Sequence, residues 1–196
     1  MLTPKNYLSW SQLNLFETDP ERYKRKYLQG EEQRINSGQA YGKLLSKGLE
    51  DGEFTGDPAL DMVMEKIPAL EINEMKVEVE YKTGKEIIPL FALLDTAKKD
   101  LSAFKEYKTG QILNQKSAFD QITFYATIIE LKTGQIPKDI EWVGIQTKKR
   151  LDGKIEATGE VIRRKEVRNM MDCVKMRIRI KKAWAGIQKL TSQEWL

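Results

Sequence analysis

Asp95, Glu106 and Lys108 are the residues of this chain best spaced to do chemistry together. The run from Ile87 to Leu94 is rich in Ile, Leu and Phe without a helical spacing of polar residues, so it reads as a strand ending at Asp95. Lys98-Lys99-Asp100 reads as a polar turn, and 101–108 as the return strand. Side chains alternate across a strand, so Glu106 and Lys108 share one face and Tyr107 takes the other. If the two strands pair, Asp95 lies beside Glu106, and two carboxylates and an ammonium converge. Carboxylates brought to one point repel unless a cation separates them. Oxygen-only ligands favour a hard ion such as Mg²⁺, which retains waters and accepts a substrate phosphate. A water on such an ion can act as a nucleophile. A lysine two residues beyond the carboxylate is suited to orient it or to offset charge developing on phosphorus.

Composition narrows the alternatives. The chain has 196 residues, 40% hydrophobic and 32% charged, which suits one domain with a real core. It contains no histidine, which removes histidine bases, histidine nucleophiles, Ser-His-Asp triads and His-ligated metals. A single cysteine, Cys173, excludes an internal disulfide and a four-cysteine metal site within one chain. Phosphodiester chemistry here must rest on carboxylates, lysine, tyrosine and metal. No apolar run is long enough to span a bilayer, and Met1 to Lys5 show no secretory leader, so a cytoplasmic protein is expected. Net charge is +4, but ten Lys/Arg against Glu166 and Asp172 give 163–190 a local +8, leaving −4 elsewhere. A basic segment on a body with acidic centres suits a polyanion guided towards metal-holding carboxylates.

The remaining elements must position that centre. A first helix opens near Ser9 or Ser11, places Leu13, Phe16, Tyr23 and Tyr27 inward, and breaks near Asp19-Pro20. Arg22, Lys24, Arg25 and Lys26 make its end basic. Residues 31–38 read as a loop and 40–50 as a helix. Asp57 caps a short helix from Pro58 to about Leu70. A half-exposed strand over 71–81 turns at Lys82-Thr83-Gly84-Lys85. Pro89 in the next strand predicts a bulge or an edge position. A helix over 117–131 carries Gln121 and Tyr125 one turn apart. Strands over 139–146 and 154–162 follow. The spacing of Val167, Met171, Val174 and Ile178 predicts a long helix over 163–190 with those residues on its apolar face, although Arg177-Ile178-Arg179-Ile180 alternates like a strand. Trp142, Trp184 and Trp195 are candidates for stacking on bases, and equally for core packing.

The ordered set Ala92-Leu93-Leu94-Asp95, Glu106-Tyr107-Lys108-Thr109-Gly110 and Gln121-x-x-x-Tyr125 resembles the PD-(D/E)XK nuclease superfamily. More narrowly it resembles the RecB-like, lambda-exonuclease-type branch. An E-x-K alone recurs by chance; the Thr-Gly and the Q-x-x-x-Y make the set specific. The resemblance covers about 7–131. It implies an α/β fold with a restriction-endonuclease-like core, a central mixed β-sheet flanked by helices. In domain terms, 1–196 is one nuclease domain, with N-terminal helices over 1–70, a catalytic core over 71–162 and a basic C-terminal helix over 163–196. It implies Asp95 and Glu106 as metal ligands together with the Tyr107 carbonyl, Lys108 acting on water or transition state, and Gln121 and Tyr125 completing the wall. Taken alone, the helix favours a core tyrosine and a surface glutamine; the preceding motif reverses that preference.

Departures from the family are informative. Ala92 replaces a glycine. Asp19 stands where iron–sulfur members have a cysteine, so no cluster is implied. Gly42 matches the glycine of a Gly-x-x-x-His, but Ser46 occupies the histidine position. Glu50, one turn on, is either a substitute metal ligand or a surface residue. The implied activity is Mg²⁺-dependent (Mn²⁺ possible) DNA hydrolysis, exonucleolytic more than endonucleolytic. Its setting would be recombination, repair or phage DNA processing in a bacterial or phage-infected cell, with DNA and a homo-oligomeric or recombination partner and no membrane. Two other readings stand beside it: a nuclease-fold protein that binds nucleic acid or a partner without cutting, and an α/β interaction domain with an accidental motif.

Overall fold

Long alternating or wholly apolar stretches produce long strands. The computed structural model describes residues 6–32, 35–67, 69–110 and 115–193. β1 (Leu8–Ser9), β2 (Ile72–Thr83), β3 (Glu86–Ala97), β4 (Ala103–Gly110), β5 (Asp139–Lys149) and β6 (Ile155–Glu166) form one mixed sheet. Its order is β1-β3-β4-β5-β6, with β2 also paired to β3. β4 and β5 are parallel, and the helix between them, α5 (Gln115–Thr133), is the crossover. The other helices are α1 (Trp10–Thr18), α2 (Pro20–Tyr23), α3 (Ser37–Asp51), α4 (Pro58–Met64) and α6 (Met170–Gln193), with a π-helical turn over Lys24–Leu28. This is the expected α/β architecture, a mixed sheet flanked by helices, consistent with a restriction-endonuclease-like core.

Strand alternation divides the interior into two cores. Leu90, Ala92, Leu94, Phe104 and Trp142 face α1, α5 and α6. Tyr107, Val143 and Ile145 face the other way, towards Tyr41 and Leu45 of α3 and Leu60 and Val63 of α4. Trp142 and Trp184 are core residues, 1% and 2% exposed. Trp195 lies outside the described residues, as do residues 111–114.

Several element boundaries differ from the sequence reading, each for a local reason. Helix α3 starts at Ser37, inside the expected loop, because Asn36 and Gln39 form a capping box. Asn36 Oδ1 accepts the Gln39 N–H at 2.8 Å, and Gln39 Oε1 accepts the Asn36 N–H at 3.1 Å. Asp57 caps α4 through the Ala59 and Leu60 N–H groups, both at 3.1 Å, but the helix ends at Met64 rather than near Leu70. Pro89 makes no bulge. It sits in regular register with Glu80 inside a central strand, and on the other flank the ladder to β1 begins only at Leu90. The position therefore tolerates a missing donor.

The C-terminal helix does not begin at 163. Residues 163–166 continue β6, where Arg163, Arg164 and Lys165 pair with Val143, Trp142 and Glu141. Nor is the expected apolar face the buried one. Val167, Met171, Val174 and Ile178 are all exposed. The opposite face, with Cys173, Met176, Ile180, Ala183, Trp184 and Ile187, fills the core against α1 and α5. The helix thus carries two apolar stripes, and the larger, aromatic one turns inward.

One ion-pair network ties three neighbouring strands. Glu141 of β5 accepts from Arg163 of β6 at 2.6 and 3.0 Å and pairs with Lys105 of β4 at 3.1 Å. Lys105 and Glu141 are both almost fully buried. Removing the carboxylate takes the Glu141 charge away from a desolvated ammonium and an arginine. Glu141→Ala should therefore destabilise the protein by about 3 kcal/mol in denaturant unfolding, with Glu141→Leu/Lys105→Met recovering most of the loss.

Candidate active site

The antiparallel ladder between β3 and β4 holds only Thr96 to Lys105 and Ala97 to Phe104. The next facing residues are Asp95 and Glu106, and there the strands part. Asp95 is on the α3 side of the sheet and Glu106 on the α5 side, so the two carboxyls meet in the gap. The Tyr107 N–H donates to Asp95 Oδ2 at 2.6 Å. Glu106 Oε1 accepts from Lys108 Nζ and from Gln121 Nε2, the latter at 2.7 Å. Gln121 Nε2 also donates to the Tyr125 hydroxyl at 2.7 Å. The structure therefore brings Asp95, Glu106, Lys108, Gln121 and Tyr125 into one cluster.

Glu106 is 1% exposed, and its second oxygen, Oε2, is buried with no hydrogen-bond donor. The Asp95 carboxyl lies within hydrogen-bonding reach of the Glu106 carboxyl. Burial and then the Asp95 charge push the Glu106 carboxyl up to about 8, with Lys108 opposing. Burial likewise holds Asp95 above its usual range, against the pull of Lys108 and the Tyr107 N–H. Burial acts to lower the Lys108 ammonium, but Glu106 and then Asp95 outweigh it, and its pKa is raised. The Lys108 side chain is 37% exposed, so it is reachable from outside while its ammonium rests on Glu106. Burial and the Glu106 charge also raise the Tyr125 phenol.

A buried oxygen without a donor beside a second raised carboxyl is short of positive charge. That donor set fits a hard divalent cation, with the Tyr107 backbone at hand. No group of three or more His, Cys, Asp or Glu side chains at metal-binding separation occurs among the described residues. Glu50 is exposed and lines a small pocket with Glu74, against Asp95 and Tyr107. It is near the centre but outside the Asp95/Glu106 pair. Ser46 turns its hydroxyl back, donating to the Gly42 carbonyl at 3.2 Å. Gly42 packs closely on β4: a Cβ there would stand 3.2 Å from Thr109 Oγ1.

Glu74 escaped the sequence reading. It lies opposite Asp95 in the β2–β3 hairpin, and the ladder skips this one pair between Asn73/Thr96 and Met75/Leu94. Its backbone is left-handed, φ 49°, a costly state for glutamate that recurs at functional sites. Burial, then the charges of Glu50 and Asp95, raise its carboxyl. The signal was available: the Gly84-Lys85 turn sets the register, and counting back from the Thr83/Glu86 pair puts Glu74 across from Asp95.

A cleft of about 660 Å³ opens beside Asp95 and Lys108, lined by Lys26, Asn36 and Lys43 among others. The N-terminus of α3, with its outward N–H groups, borders it.

The raised Glu106 pKa has a stability consequence. Its folded value, about 8, exceeds the ordinary 4.5, so its contribution is complete below pH 4.5 and is lost as pH rises through about 8. In chelator, unfolding free energy should fall across this window by up to about 1.4 kcal/mol per pH unit, and more shallowly in Glu106→Gln. A divalent cation held there would have to displace that proton, so any such affinity should rise towards pH 8 with proton release on binding. Urea unfolding and calorimetry in two buffers check both expectations.

Neither a protein-family model nor a curated protein matches the chain. Among solved structures it is similar to a phage-related exonuclease from Haemophilus somnus 129PT, with 13% identity and a TM-score of 0.56 over 94% of this chain and 83% of that one. SSO0001 aligns over 93% of this chain and 78% of its own, with 13% identity and a TM-score of 0.49. Rai1 from Scheffersomyces stipitis aligns over 92% and 50%, with 13% identity and a TM-score of 0.32. At such identity, what the chain shares with the phage-related exonuclease is the fold.

Proposed function

We propose that the chain is a metal-dependent nuclease of the PD-(D/E)XK type, closest in pattern to the RecB-like, lambda-exonuclease branch. On this reading it hydrolyses DNA phosphodiesters, mainly from ends, in recombination, repair or phage DNA processing within the cytoplasm. The observation that carries the reading is the Asp95/Glu106 pair in the gap between β3 and β4. Its donorless oxygen is suited to a hard cation, and Lys108 rests on the same carboxylate. Fold likeness to a phage-related exonuclease agrees with it.

Asp95 and Glu106 would hold the cation, Mg²⁺ or Mn²⁺, with the Tyr107 carbonyl available as a neutral donor. Such an ion supplies Lewis-acid polarisation of the phosphoryl group and acidifies water. Lys108, its pKa raised, stays protonated at neutral pH and so acts as a cation and donor rather than a base. It places positive charge where the phosphoryl oxygens gain negative charge. Gln121 holds Glu106 Oε1 and leaves Oε2 without a donor. Lys26 and Lys43, with the α3 N-terminus, give the cleft the charge a phosphodiester backbone needs.

A second reading, a nuclease fold that binds without cutting, is favoured by Ser46. Its hydroxyl is engaged with its own helix, and α3 offers no nitrogen ligand where relatives are expected to have histidine.

The test is incubation with end-labelled linear DNA, covalently closed duplex and single strands, in Mg²⁺, Mn²⁺ or chelator. Metal-dependent loss of linear DNA alone, reduced at least about hundredfold by Lys108→Ala, is the expected result. Nicking of closed circles would instead assign an endonuclease. Retained salt-sensitive binding with no cleavage in either metal would favour the second reading.

A further inference from the structure

Helix α6 has an outer face that the fold leaves unpartnered. At about 100° per residue, Met170, Val174, Ile178 and Met171 fall on one side of the helix, opposite Cys173, Met176, Ile180 and Ile187. The outer four are 50%, 37%, 62% and 58% exposed, and Val167, just before the helix, is 84% exposed. Together they present on the order of 500 Å² of apolar residue surface, comparable with the largest patches on soluble monomers.

The orientation of the helix is pinned. Arg177 pairs with Glu130 of α5, and Arg179 with Glu17 of α1 at 2.7 Å and Asp120 of α5 at 3.2 Å. These pairs border the buried stripe on its two sides, so the helix cannot roll to hide the outer one. The outer arc continues as Lys181, Ala185 and Lys189, edged by Lys175 and Lys182, all exposed. None of these four lysines has an acidic partner among the described residues. The face also lies across the sheet from α3 and its cleft, so it is not part of the candidate active site.

We propose that this face docks an acidic amphipathic helix of a partner protein. Three turns of apolar side chains at helical spacing match the anchors of such a helix, and the lysines match its flanking carboxylates. A second copy of this chain is a poorer occupant: it would bring another lysine-rich face without counter-charge, and the patch falls short of the roughly 800 Å² per partner of a stable dimer. The proposal does not depend on the nuclease reading.

The probe is a synthetic helical peptide with leucines at i, i+3, i+4 and i+7 flanked by glutamates. Its control has the same leucines flanked by lysines. Binding is read by anisotropy against wild type, Met171→Glu/Ile178→Glu and Lys181→Glu/Lys182→Glu. The expected result is binding of the acidic peptide in the micromolar range, with no detectable binding of the lysine peptide. Each double variant should weaken it at least about tenfold with unchanged circular dichroism. The proposal is overturned if the acidic peptide fails to bind into the millimolar range, or if the variants bind it as wild type does. It is overturned equally if sedimentation shows self-association abolished by Met171→Glu/Ile178→Glu. Loss of duplex DNA or anionic-vesicle binding in Lys181→Glu/Lys182→Glu, with the peptide unaffected, would assign the face to a polyanion instead.

Discussion

Two carboxyl groups withdrawn from water and facing each other are the constraint to which the rest of this structure responds. Left alone, Asp95 and Glu106 would drive the strand ends apart. They are held by unequal means: Asp95 by a backbone N–H, Glu106 by an ammonium and an amide on one of its oxygens. That asymmetry leaves Oε2 as the point of greatest electrostatic need. The frame must be stiff to sustain it. β4 runs parallel to β5 over eight register pairs, from Ala103/Asp139 to Gly110/Gln146, and Glu141 couples both to β6. The strand bearing Glu106 and Lys108 is thus anchored along its whole length on the β5 side, while its other edge, towards β3, is released after two pairs.

The release lets side chains from opposite faces of the sheet reach one point. Asp95 belongs to the face packed by α3, and Glu106 and Lys108 to the face packed by α5. A closed ladder would have kept them on opposite sides. Glu74 shows the same tension across β2. Its left-handed backbone suspends the ladder opposite Asp95, so the strand bearing the first carboxylate is freed on both flanks at one residue.

What was legible in the sequence followed from local chemistry. The strand carrying Asp95 (though it runs on to Ala97 rather than ending at Asp95), the Glu106/Lys108 face, the Asp19-Pro20 break and the Asp57 cap are all decided within a few residues. What was not legible depended on competition between distant surfaces. The stripe of Val167, Met171, Val174 and Ile178 has correct helical spacing, yet it lost the core to Met176, Ile180 and Trp184, which lie on the same helix. Periodicity cannot rank two stripes; volume and aromatic packing can. Residues 163–166 read as helical because basic side chains carry little periodic signal, and the β5 edge supplied the pairing that made them a strand. The capping box at Asn36 and Gln39 was local and readable, but a polar stretch without apolar periodicity concealed it. Glu74 needed the hairpin register to be counted, which spacing along one strand does not reveal.

The same competition revises how charge is read. The +8 of 163–190 suggested a polyanion guide, but much of it is engaged. Arg163, Arg168, Arg177 and Arg179 pair with carboxylates, and Arg164 lies over the Trp142 ring. Lys175, Lys181, Lys182 and Lys189 lie on α6, across the sheet from α3, and the cleft's positive lining includes Lys26 and Lys43 instead. On the proposed nuclease reading, the absence of histidine then has a definite electrostatic meaning. A neutral nitrogen on α3 would ligate a cation without adding charge. This chain surrounds Asp95 with Glu50 and Glu74, both acidic, while Ser46 is turned inward. Extra negative charge strengthens attraction for a hard cation and, by the same field, makes the protons it displaces harder to remove. A centre built this way depends more steeply on pH and on ionic strength than one completed by imidazole, because its affinity comes from charge rather than from a directed nitrogen lone pair.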